Sequence, residues 1–190
     1  MDQSHRLLSL QTTELTRGAL LGQGGFCSVL EIQSLALVSE QAKEKEKSSA
    51  IAEYHTRNFM SNHCIRDGQP RYAIKQLSSD TLASQDLFLK GTADLAIEAK
   101  FLTILNHSHI IKLRALANSG YFSGDNFLII DRLYSTLDQD IVRWKLEEKN
   151  YMGCCGILSG GQAKVQDMIK NRINIAFDIA SAFAYLHSMR

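Results

Sequence analysis

The sequence predicts an α+β fold: a twisted, five-stranded antiparallel sheet with one large helix against it, followed by further helices. Residues 15–34 alternate apolar and polar on either side of a glycine cluster, Gly22, Gly24 and Gly25, which reads as strand, tight loop, strand. A β-favouring run at 72–77 precedes Leu95, Glu98, Leu102 and Leu105, which recur at helical spacing. Near the end, Ile169, Ile173, Ala176, Ala180 and Ala184 form the small apolar stripe of a buried helix.

Taken in order, residues 1–14 read as a tail and the glycine hairpin follows. From about 39 to 67 the character changes. Lys43-Glu44-Lys45-Glu46-Lys47 followed by two serines is a low-complexity run, expected as a solvent-exposed, dispensable insertion with at most transient helix. Asp67-Gly68-Gln69-Pro70 is a turn that delivers the chain into the strand at 72–77. Thr92 is the expected cap of the large helix, which Asn106–His109 ends. Strands are expected at 110–113 and 127–130, a short helix at 137–144, a Gly/Cys-rich connection at 153–161 and a long helix at 163–187.

Composition bounds the function. Lys and Arg (21) nearly cancel Asp and Glu (20), so no long-range field favours nucleic acid or an anionic membrane. The four cysteines, Cys27, Cys64, Cys154 and Cys155, show no C-x-x-C spacing, which argues against zinc and for reduced thiols. With no signal-peptide pattern and no apolar run of membrane length, the expectation is an intracellular protein, cytoplasmic or nuclear, without nucleic-acid or membrane partners.

Three features carry chemistry. In Leu21-Gly22-Gln23-Gly24-Gly25-Phe26-Cys27-Ser28-Val29, glycines let a backbone turn sharply and approach phosphate oxygens. Dinucleotide-binding folds follow such a loop with a helix, whereas Val29–Ile32 reads as another strand. Period two places Ala73, Lys75 and Leu77 on one strand face, and Glu98 shares a helical stripe with Leu95 and Leu102. A carboxylate on a packing face needs a partner, and Lys75 is the natural one.

Together these residues resemble the eukaryotic protein kinase family over nearly all of residues 15–190. The glycine segment resembles its phosphate-covering loop, and Tyr72-Ala73-Ile74-Lys75 its Val-Ala-Ile-Lys strand. Glu98 matches the helix glutamate that holds the lysine. His107–Leu113 resembles the segment after that helix, and Phe127–Leu133 the strand running into the hinge. By this resemblance ATP is the ligand, bound by Leu21, Gly22, Gln23, Gly24, Gly25, Phe26, Cys27, Val29, Ala73, Lys75, Glu98, Ile130, Asp131 and Leu133. Leu21, Val29 and Ala73 would sandwich the adenine. Ile130 would be the gatekeeper, and the Asp131 carbonyl and Leu133 amide would read the ring edge. The implied organisation is a kinase-like nucleotide lobe over 15–133 and a partial helical lobe over 134–190. The implied activity is phosphoryl transfer to protein Ser/Thr, with Tyr open and the substrate unspecified.

The departures are specific. Cys27 replaces the loop's third glycine and offers a candidate reactive thiol; insertions occupy about 39–67 and 146–162. The family's catalytic loop and magnesium ligands would begin a few residues after Arg190, so the expectation is that these residues hold no catalytic base and no metal site and do not transfer phosphate by themselves. Magnesium belongs to the complete family domain. The alternative from another class is a non-catalytic nucleotide- or protein-binding module of kinase fold. Leu158-Ser159-Gly160-Gly161-Gln162 spells an ABC-ATPase signature, but no G-x-x-x-x-G-K-[ST] loop accompanies it.

Overall fold

The computed structural model describes residues 7–36, 48–120, 122–152 and 161–189. The chain forms two compact units, Met1–Asn106 with Ile111–Arg132, and His107–Ile110 with Leu133–Arg190.

The first unit is built on a mixed, six-stranded sheet. Its strands are β1 (Leu8–Leu10), β2 (Leu15–Gln23), β3 (Cys27–Leu35), β6 (Tyr72–Leu77), β7 (Leu113–Ala117) and β8 (Phe127–Asp131), ordered β1-β7-β8-β6-β3-β2. A small hairpin, β4 (Ile65–Arg66) and β5 (Gln69–Pro70), stands apart. Its turn holds Asp67 and Gly68 at φ of 52° and 75°, the left-handed pair that Asp-Gly adopts readily. The expected five-stranded antiparallel sheet is therefore corrected. The sixth strand, β1, pairs parallel with β7 and buries Leu8 and Leu10, so the stretch read as a tail contributes to the core.

Alternation along each strand creates two packing layers. On one side lie Ile32, Tyr72, Ile74, Phe127 and Ile129, covered by Leu8, Leu10 and the helix α1 (Ser48–Asn62). Met60 on α1 and Cys64 just beyond it are 4% and 3% exposed. This corrects the reading of 39–67 as solvent-exposed throughout, because its second half covers a sheet face. Residues 43–47 lie outside the described residues.

On the other side, Leu77, Leu113 and Leu128 pack against Leu95 and Ala99 of α3 (Gln85–Ile104). A one-turn helix, α2 (Ser79–Ala83), precedes α3 and is capped by the Ser78 hydroxyl, which accepts from the Thr81 amide. Helix α3 starts well before Thr92, the expected cap. Thr92 is buried mid-helix, its hydroxyl donating to the carbonyls of Phe88 (2.8 Å) and Leu89 (3.0 Å). The expected strand at 110–113 begins only at Leu113. Before it, the Ile110 amide donates to His107 O and the His109 amide to His107 Nδ1, bonds that make a turn.

The second unit comprises residues 107–110, α4 (Leu137–Met152) and α5 (Gly161–Ser188). Helix α4 runs further than the expected 137–144, and residues 153–160, most of the Gly/Cys-rich connection, lie outside the described residues. Arg172 of α5 pairs with Glu148 of α4 at 3.2 Å and lies over the Trp144 ring. The His107 Nε2–H donates to Ser181 Oγ (3.2 Å), and its ring stacks on Tyr185. The stripe expected to be buried on α5 is open instead: Ile169 is 48% and Ile173 61% exposed. The contacts of α5 run through Arg172, Asp178, Ser181 and Tyr185, on another face of the helix.

Candidate functional site

The site is built on the α3 side of the first unit's sheet. Register places Val29 opposite Lys75, and Ala73 between Glu31 of β3 and Ile130 of β8. Side chains directly opposite share a face, so Val29, Glu31, Ala73, Lys75, Leu128 and Ile130 line one surface. Lys75 points from β6 towards α3, and its Nζ donates to Glu98 Oε2 at 2.5 Å. The pairing expected from the sequence forms. Lys75 is 26% and Glu98 35% exposed, so both charged heads are desolvated in part and reachable from solvent.

The glycine hairpin closes with the Gly24 amide donating to Cys27 O at 2.8 Å, which commits that amide within the turn. Neither Gly22 nor Gly25 has anything within 4 Å of the place a Cβ would take, and none of Gly22, Gly24 and Gly25 has positive φ. The fold therefore does not need glycine at Gly22 or Gly25. What glycine leaves there is bare backbone with room for another molecule to approach.

The hairpin is held from behind. Phe26 O accepts from the Ser78 amide (2.9 Å) and the Thr81 hydroxyl (2.8 Å). The Phe26 side chain packs on the α3 layer. A Cβ at Gly91 of α3 would come within 2.9 Å of Thr81 Cγ2, 3.0 Å of Leu77 Cδ2 and 3.1 Å of Phe26 Cβ, so that glycine lets the hairpin seat against the helix.

Other expected residues are placed as follows. Leu21 and Gln23 are exposed and Val29 is half-buried. Ala73 is 2% exposed and presents almost no surface of its own. Cys27, the candidate reactive thiol, is buried instead. Burial pushes its pKa up, outweighing the nearby Lys75 ammonium, so the thiol stays neutral and poorly nucleophilic. Asp131 ends β8 with its carboxylate in a two-point fork from Arg114 Nε (2.8 Å) and Nη2 (2.7 Å), a hydrogen bond that raises the guanidinium's pKa. Leu133 is exposed and belongs to the second unit, whereas the other expected residues belong to the first.

Sequence reasoning missed several residues around this surface. Arg132 Nη2 reaches Glu31 Oε1 at 2.7 Å, with 12% and 16% of the two side chains exposed. Gly18 of β2 lies against the Glu31 side chain. An isolated glycine in a strand signals close approach, so Gly18 was a readable clue. The Arg114 and Arg132 pairings have no local signal.

A cavity of about 390 Å³ lies between β1, α3 and the β7–β8 end of the unit, lined by Ser9, Ala99, Leu116, Ser119, Asn126 and Leu128 among others, and shares only Leu128 with the surface just described. It includes neither the glycine hairpin nor Lys75. Among the described residues, no group of three or more His, Cys, Asp and Glu side chains is gathered as a metal site, and no helix is long and apolar enough to cross a membrane. No protein-family model matches the chain, and no curated protein matches it.

Proposed function

We propose that the first unit is the nucleotide-binding part of a protein kinase domain, holding ATP for transfer of its terminal phosphoryl group to a protein hydroxyl, serine or threonine before tyrosine. The observation that carries this reading is a part-buried Lys75–Glu98 pair on the same sheet face as a hairpin whose glycines at 22 and 25 the fold does not require. A lysine tied to one carboxylate retains further N–H donors, and a phosphate oxygen is a fitting acceptor for one of them. Glu98 fixes where the ammonium sits. Bare backbone at Gly22 and Gly25 offers room for phosphates, while Leu21 and Val29 supply apolar surface for a base. Magnesium, in this reading, supplies charge neutralisation across the phosphates.

The test separates the phosphate and base ends of the ligand. Isothermal titration of the 190-residue chain should give tighter binding of ATP than of adenosine. Lys75→Met should cost ATP about tenfold or more in affinity, the worth of a charge-assisted hydrogen bond, and leave adenosine nearly unchanged. Glu98→Gln should move the same way by less. Equal ATP affinity in the folded wild type and Lys75→Met would remove the basis of the reading.

A further inference from the structure

Glu31 and Arg132 belong to neither the glycine hairpin nor the lysine pair, yet they lie at the same surface. Glu31 stands directly opposite Ala73, so its side chain rises beside the place where a base would sit. Arg132 follows β8 immediately; its amide donates to Arg71 O at 3.0 Å, and its guanidinium returns across β6 to Glu31 at 2.7 Å. The pair is mostly buried, and a desolvated pair is costly to break, so it holds its position. Room for it is made by Gly18, where a Cβ would fall 3.0 Å from Glu31 Cβ and 3.1 Å from its Oε2. On the opposite side, the neighbouring Asp131 is gripped by the Arg114 fork, and its amide donates to Lys112 O at 3.3 Å. The two consecutive residues are thus fastened in opposite directions across the sheet.

We infer that Glu31 and Arg132, seated by Gly18 and opposed by the Arg114–Asp131 fork, are positioning residues that fix the end of β8 as the reader of a purine edge. The inference rests on the nucleotide reading above. It assigns Glu31 and Arg132 to selectivity for the base, whereas Lys75 serves the phosphates. A backbone that reads a ring edge by hydrogen bonds must be held to a fraction of an ångström, and the paired guanidinium and carboxylate supply that restraint.

The experiment measures affinities of the 190-residue chain for adenosine, ATP and GTP, with thermal melting to verify folding. The variants are Glu31→Gln, Arg132→Lys and the exchange of Glu31→Arg with Arg132→Glu. Glu31→Gln should lose about tenfold for adenosine and ATP alike, the cost of a displaced contact, with the ATP-to-adenosine ratio unchanged. Discrimination of ATP from GTP should fall, and the exchanged pair should recover part of both losses. A general loss of stability would not change the ATP-to-GTP ratio in the folded protein. Arg132→Lys keeps the charge but loses the guanidinium nitrogen that reaches Glu31, and it should show the same pattern if Glu31→Gln does not fold. Unchanged or increased adenosine affinity in the folded single variants overturns the inference while a Lys75-dependent ATP affinity leaves the nucleotide reading standing. A wild type that binds neither adenosine nor ATP overturns both.

Discussion

Cys27 and Cys64 sit in opposite packing layers of the sheet, and neither is paired in a disulfide. Burial raises both thiols above their ordinary 9.0, and burial likewise raises the Tyr72 hydroxyl above its ordinary 10.0. All three are neutral when protonated, and the folded state holds those protons more tightly than the unfolded chain does. Their contribution is therefore complete at neutral pH, starts to fall as pH rises through the unfolded values, and is gone above the raised folded ones. Urea stability should lose nothing from these groups at neutral pH and decline as pH rises past about 9. The onset should move upward in a Cys27→Ala, Cys64→Ala double variant. Iodoacetamide mapping by mass spectrometry should find both thiols protected in the native protein and modified in urea. Rapid native labelling of Cys27 would mean that the glycine hairpin opens far more than its packing implies.

Among the elements, α1 departs most from expectation. It is anchored by Arg57, whose Nη1 pairs with Glu14 Oε1 at 2.8 Å and whose Nη2 donates to Ser9 O. Glu14 is 3% exposed, and its other oxygen accepts from the Gln11 amide at 2.6 Å. One guanidinium thus joins α1 to the turn between β1 and β2 and to β1 itself. Removing it leaves a buried carboxylate short of its cation, so Arg57→Ala should destabilise by about 3 kcal/mol. Met60→Ala should cost about 2–5 kcal/mol through the cavity it leaves. Deletion of 48–64 should cost more than either. Denaturant melts read all three, and a deletion that melted like wild type would return α1 to the status of an ornament. The charged run before α1 concealed this role, because its composition says solvent and the burial is concentrated in Met60 and Cys64 at the far end.

At the scale of the whole molecule, what could be read beforehand was what local pattern governs. The glycine hairpin, the run that became β6 and the Lys75–Glu98 pairing follow from alternation, helical spacing and the cost of burying a charge, each visible within a short window. The kinase resemblance supplied the order of these parts but not the sixth strand. Leu8-Ser9-Leu10 has too few residues to show a period, and it becomes a strand only because β7 presents an edge to it. The Glu31–Arg132 pair is equally non-local, created when β3 and β8 come to flank β6. Gly91 lies just outside the helix expected to begin at Thr92, and it marks the place where α3 receives the hairpin.

The parallel pairing of β1 with β7 also has a consequence in time. It pairs Leu8 with Ala115, residues far apart in the sequence, so most of the unit's chain must close before the pairing brings any gain. β1 should dock after the folding barrier has been crossed. Leu8→Ala should then accelerate unfolding and leave the refolding rate almost unchanged, a φ-value near zero by stopped-flow kinetics. Refolding slowed in proportion to the lost stability would place β1 in the nucleus. Until β1 arrives, the edge of β7 exposes unpaired amides and carbonyls to any other chain. The yield of refolding should therefore fall as protein concentration rises, and the three residues that complete the sheet would be its guard against neighbours.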